Sequence, residues 1–121
     1  MRVAPTMDWA WLREPRLVLP GGAVLELRGD AQGSLLRSAL PAKVRVVFRD
    51  ARGRVAGRPA GRAVKRLLQE QRVPPWQRQQ VPLVYAGGRL LAVGDHWQAR
   101  PRRAAPGATR SGRCRLSWRP A

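Results

Sequence analysis

The chain holds 121 residues, enough for one domain and too few for two, and its 44% apolar content is higher than a disordered chain carries. Twenty-four basic residues against seven acids give a formal charge of +17, the balance of a chain that meets a polyanion. No run reaches the roughly 18 apolar residues of a membrane span, the start MRVAPTMDWAW lacks the apolar stretch of a secretory signal, and a single cysteine leaves no disulfide framework and points to a reducing cytoplasm.

Residues 1–16 have little periodicity and read as an N-terminal extension. Trp9 and Trp11 flank Ala10 as a strand fragment or as two aromatics tucked against the core. From Arg16 the pattern sharpens. RLVL, Pro20-Gly21-Gly22 and AVLELR read as two short strands joined by a turn. In the second strand Val24, Leu25 and Leu27 supply the apolar side, with Glu26 and Arg28 opposite. SLLRSAL, residues 34–40, is a helical turn or an irregular strand. KVRVVFR, residues 43–49, alternates: Val44, Val46 and Phe48 face inward, and Lys43, Arg45 and Arg49 face outward beside Val47. Those outward cations form an ordinary wet face or a nucleic-acid surface.

DARGRVAGRPAGR, residues 50–62, is a loop rich in Gly, Pro and Arg. Arg49, Arg52, Arg54, Arg58 and Arg62 recur across it and its borders, and a guanidinium is a planar donor fork suited to phosphate. The segment lacks the closing Gly-Lys-Ser/Thr of a nucleotide-hydrolase phosphate loop. A helix is predicted from about Ala60 to Gln71, with Val64, Leu67, Leu68 and Gln71 on its apolar face and Arg62, Lys65, Arg66 and Gln69 over the rest. Pro74 stops it. Pro75 and Trp76 open a second short helix to about Gln80, with Trp76 as a corner wedge or, alternatively, a base-stacking ring. VPLVYA and RLLAV around Gly87-Gly88 are a hairpin. Residues 98–121 carry seven arginines and no acid and read as a flexible tail, disordered or ordered only on binding. Within the tail, CRLSW is a final strand or an unrelated end.

The charge is unevenly spread. Residues 1–42 hold five Arg and four acids, a net of +1, and residues 43–121 hold nineteen cations and three acids, a net of +16. A GC-rich genome enriches Arg codons, but it does not remove acids from one part of a chain. The chemistry inventory is thin. His96 stands beside Asp95 with no nucleophile, Cys114 has no base partner, the carboxylates are scattered, and no set of ligands has zinc spacing. Neither a catalytic residue nor a metal ligand is predicted.

GRAVKRLLQEQRVPPWQRQQVPLVYAGGRLLAVGDHW resembles the C-terminal domain of bacterial tRNA(Ile)-lysidine synthetase. The resemblance rests on Lys65, Arg66, Leu67, Leu68, Gln69 and Glu70, then Val73, Pro74, Pro75, Trp76 and Arg78, then Pro82, Leu83, Tyr85, Leu90, Ala92 and Val93. It is firm over about residues 43–97, and the domain is expected to span 17–97. The chain departs from the family pattern at Gln79 and Gln80 and in the DARGR loop. The resemblance implies an α+β fold: a small mixed or antiparallel β-sandwich-like domain with one or two short helices packed on a sheet. It also implies a tRNA-binding module that grips the acceptor end. The family's adenylating domain, with its Ser-Gly-Gly-x-Asp-Ser loop, attaches lysine to the anticodon cytidine; that loop is absent here. ATP and Mg²⁺ would belong to that domain, so no cofactor is expected for this chain. The partner expected is tRNA, in particular tRNA(Ile), and a separate catalytic subunit is a further one; no membrane is.

The residues expected to touch RNA are Arg52, Arg54, Arg58, Arg62, Lys65, Arg66, Gln69 and Arg78. Trp76, Pro74, Pro75, Leu67, Leu68, Tyr85 and Phe48 are expected to hold the fold. The alternatives are a non-catalytic module binding ribosomal RNA or serving assembly, and a truncated remnant that binds RNA without selection.

Overall fold

A computed structural model describes residues 6–19, 21–36, 40–49, 61–99 and 112–120. In chain order the elements are β1 (Met7–Trp9), β2 (Arg16–Val18), β3 (Val24–Gly29), β4 (Leu35–Leu36), β5 (Val44–Val47), α1 (Gly61–Glu70), a 3₁₀ helix (Pro75–Gln80), β6 (Leu83–Ala86), β7 (Arg89–Val93), β8 (Trp97–Gln98) and β9 (Arg113–Arg119). They form two sheets, ordered β1-β5-β6-β7-β8 and β2-β3-β9-β4, with every pairing antiparallel. The result is the expected small α+β domain, with two short helices among the described residues.

In β6, Leu83, Val84 and Tyr85 are consecutive and fully buried, which requires cover on both faces of the strand. Val64 and Leu68 of α1 and Leu25, Leu27 and Leu116 of the four-stranded sheet belong to the same hydrophobic cluster. Trp11 is completely enclosed there, and its indole N–H donates to the Pro41 carbonyl at 2.8 Å, so the one polar atom of a large apolar side chain is satisfied. Among the described residues no helix is long and apolar enough to cross a membrane.

Residues 7–9 and 113–119 both belong to this fold: the first lie in a strand where an extension was expected, and the second take the final-strand alternative over a flexible tail. Residues of the first segment form β1, which pairs with β5, and Trp9 is buried beside Trp11 with ring centroids 5.8 Å apart. β9 lies between β3 and β4 and pairs with β3 over six residues. The apolar side of RCRLSWR, namely Cys114, Leu116 and Trp118, outweighs the flanking arginines because it fills the core. Gly33 is obligatory here: a Cβ at that position would collide with the Cys114 carbonyl of β9.

Other expectations shift by a residue. Phe48 is only half-buried, while Val47 and Arg49 are buried, because β5 ends at Val47 and its alternation stops there. Val24 lies on the side of Glu26 and Arg28. SLLRSAL contributes the two-residue strand β4. The β6–β7 hairpin turns at Gly87-Gly88 as expected, with Gly87 at φ +59°.

Candidate nucleic-acid interface

The end of α1 and the corner after it are set by backbone chemistry. The Arg72 N–H donates to the Gln69 carbonyl (3.0 Å) and the Val73 N–H to the Leu68 carbonyl (2.9 Å), with Arg72 at φ +56°. This is the reciprocal pair of a Schellman cap. It ends the helix before Pro74 is reached, and it drives Val73, not Trp76, into the core beside Leu68. Gln71, placed on the apolar face by periodicity, is exposed for the same reason. The 3₁₀ helix buries none of its residues, and Trp76 is 76% exposed. The wedge expected of Trp76 is therefore supplied by Val73.

The predicted RNA-contacting residues separate into groups. Lys65, Arg66 and Gln69 are exposed on α1, where Arg72 is exposed just beyond the helix end. Arg78 is half-buried and donates its Nε–H to the Val73 carbonyl at 3.0 Å, so it braces the corner. Arg52, Arg54 and Arg58 lie outside the described residues, as does the side chain of Arg62. Of the expected structural residues, Tyr85 and Leu68 are fully buried and Leu67 is half-buried; Pro74 is half-buried and Pro75 exposed.

A second basic surface lies on the outer face of the four-stranded sheet. β9 alternates strictly, with Arg113, Arg115 and Arg119 exposed and Ser117 half-exposed between them. Its register with β3 sets Arg115 opposite Arg28, Ser117 opposite Glu26 and Arg119 opposite Val24, and β2 sets Arg16 opposite Glu26. Like charges directly opposite each other destabilise a sheet. The fold accepts Arg28 opposite Arg115 by giving each a carboxylate: Glu26 bonds Arg28, and Asp30 lies 3.4 Å from Arg115. The Arg28 guanidinium holds the Glu26 carboxyl below its ordinary range; desolvation opposes this, and the fields of Arg28, Arg119 and Arg16 add to it. Five arginines around so few acids make a face that favours phosphate.

Sequence reading missed this face. The signal was there as Arg-Cys-Arg-Leu-Ser-Trp-Arg, a seven-residue polar/apolar alternation at residues 113–119. The arginine-, glycine- and proline-rich run before it argued for disorder and masked it. Cys114 is buried in β9, and among the described residues no group of three or more His, Cys, Asp or Glu could hold a metal ion.

Residues 44–118 match the family described as the TilS substrate C-terminal domain, which is more than half of the chain and runs from β5 to the penultimate residue of β9. The chain belongs to that family. It is similar to the tRNA(Ile)-lysidine synthase of Xanthomonas campestris pv. campestris (strain 8004), 41% identical over 85 residues, covering 70% of this chain and 19% of that protein. The enzyme of the same name from Edwardsiella ictaluri is 33% identical over 101 residues, covering 82% and 23%. That of Coxiella burnetii is 36% identical over 94 residues, covering 74% and 20%. The chain thus spans about a fifth of the length of the curated relatives it matches. The family match reaches Trp118 of β9, so Arg113 and Arg115 of the second basic face fall within the matched residues, while Arg16, Arg28 and Arg119 lie outside them.

Proposed function

We propose that this chain is the tRNA-binding module of a tRNA(Ile)-lysidine synthase. It grips the acceptor end of tRNA(Ile), while a catalytic domain outside these 121 residues uses ATP and Mg²⁺ to ligate lysine to the anticodon cytidine. The observation that carries the reading is the exposed arginine row of β9, paired with β3, whose Arg113 and Arg115 fall inside the residues that match this family. The exposed cations of α1 offer a second set of phosphate contacts. Such contacts position RNA without reading its sequence, and an A-form stem is recognised mostly by shape and backbone. Selection among tRNAs therefore need not reside in either surface.

The test is tRNA binding across a salt series by a variant carrying Arg113→Ala, Arg115→Ala and Arg119→Ala, beside a second carrying Lys65→Ala and Arg66→Ala. Three lost phosphate contacts should flatten the slope of log K against log salt by about 2–3, and two by about 1–2. Unchanged affinity and slope in both variants would sink the assignment of these surfaces.

A further inference from the structure

An open, mostly polar cleft of about 650 Å³ lies where the four-stranded sheet meets the turn between β7 and β8. Arg28 and Arg115 line it from the sheet with Ser117, and Asp95, His96 and Trp97 line it from the turn and β8. Neither the phosphate face of a duplex nor the core accounts for this combination.

The side formed by the turn is tied to the four-stranded sheet. The Gln98 side chain makes two bonds to the Leu116 backbone: its Nε2 donates to the carbonyl at 2.7 Å, and its Oε1 accepts from the N–H at 3.0 Å. Gly94, at φ +52°, lets the turn press within contact of Trp118 and Val81. The His96 ring stands edge-on to Trp118 at 6.0 Å. These contacts hold the neighbours of Trp97, which pairs with Val93 in β8 and lines the cleft with 38% of its surface open. The side formed by the sheet is equally set. Arg28 and Arg115 are opposite each other in register, each oriented by its carboxylate and each about half open to solvent (54% and 55%).

A duplex backbone offers phosphates but no free base face, so it leaves Trp97 unused. The cleft has the volume of a small-ligand site. It pairs an indole for stacking with guanidiniums for a phosphate, and Asp95 and Ser117 can accept bonds from the edge of a base. Unpaired nucleotides are bound by this combination of stacking and edge contacts. We propose that the cleft holds one unpaired nucleotide of the bound RNA, with its base on Trp97 and its phosphate between Arg28 and Arg115. The inference rests on the RNA-binding reading above and deepens it.

Two RNA hairpins sharing one stem test it, one blunt and one with a short single-stranded extension. The wild-type chain should bind the extended hairpin about tenfold more tightly, the order of one base–aromatic stack. Trp97→Ala should erase that preference and leave blunt-hairpin affinity intact, and Trp97→Phe should keep most of it. In a titration with the extended hairpin, the Trp97 indole N–H resonance should shift, which reads the site in the unaltered protein even if a variant folds poorly. Equal affinity of the wild type for both hairpins, a preference that survives Trp97→Ala, or an unmoved Trp97 resonance overturns the cleft and leaves the basic faces standing. Binding to neither hairpin overturns the RNA-binding reading along with it.

Discussion

Trp76 separates hydrophobicity from burial. A tryptophan after two prolines reads as a wedge, yet the Schellman cap at Arg72 gives the inward position to Val73 and leaves the indole on the surface. Trp76→Ala should therefore change stability by no more than about 0.5 kcal/mol, as exposed substitutions do. If the ring stacks on a base, the same variant should lose about 1–3 kcal/mol of RNA binding. Thermal melts and RNA titrations of one preparation check both. A large drop in melting temperature would return Trp76 to the core. Glu26 carries a second prediction. Its folded pKa is lowered, chiefly by Arg28, so its ionised form stabilises the fold at neutral pH. That contribution is present above the unfolded pKa and is lost as pH falls through the folded one. Glu26→Gln should be less stable than the parent at neutral pH, with the gap closing as pH falls into the acid range. Urea midpoints along a pH series read it, and a constant gap would mean that Glu26 acts through packing.

At the level of elements, the hairpin of β6 and β7 and the strands β2 and β3 were legible because alternation and glycine turns both pointed the same way. α1 was legible from its period, but its end was not, since a left-handed cap at an arginine leaves no glycine to mark it. β9 was half-legible. Its alternation called for a strand, and the composition before it called for disorder. No sequence pattern foretold how β9 is secured. β4 pairs only with Cys114 and Arg113, and beyond its end the Gln98 side-chain amide takes the Leu116 backbone groups, standing in for the missing strand. Gln98→Ala leaves that N–H and carbonyl without their partner and should cost about 1–3 kcal/mol. Amide exchange should quicken at Leu116 first. Unchanged protection there would mean that water or a neighbouring group satisfies the edge as well as glutamine does.

For the whole molecule, the net of +16 on residues 43–121 was plain in the sequence, and its distribution over a surface was not. Folding returns β9 to the four-stranded sheet and thereby sets C-terminal arginines beside Arg16 and Arg28 from the N-terminal part. The candidate site was thus only partly legible: a charge run gives its sign at once, but cross-strand register decides which cations converge. A strongly basic surface attracts any polyanion at low salt. What distinguishes a tRNA module is shape, which salt does not screen. The most direct measurement is therefore the affinity of the chain for tRNA(Ile) and for an RNA duplex of equal length across a salt series. A tRNA-binding module should show steep salt dependence for both, with a preference for tRNA that persists as salt rises. Equal affinities that collapse together would contradict that reading, leaving a basic domain that binds by charge alone.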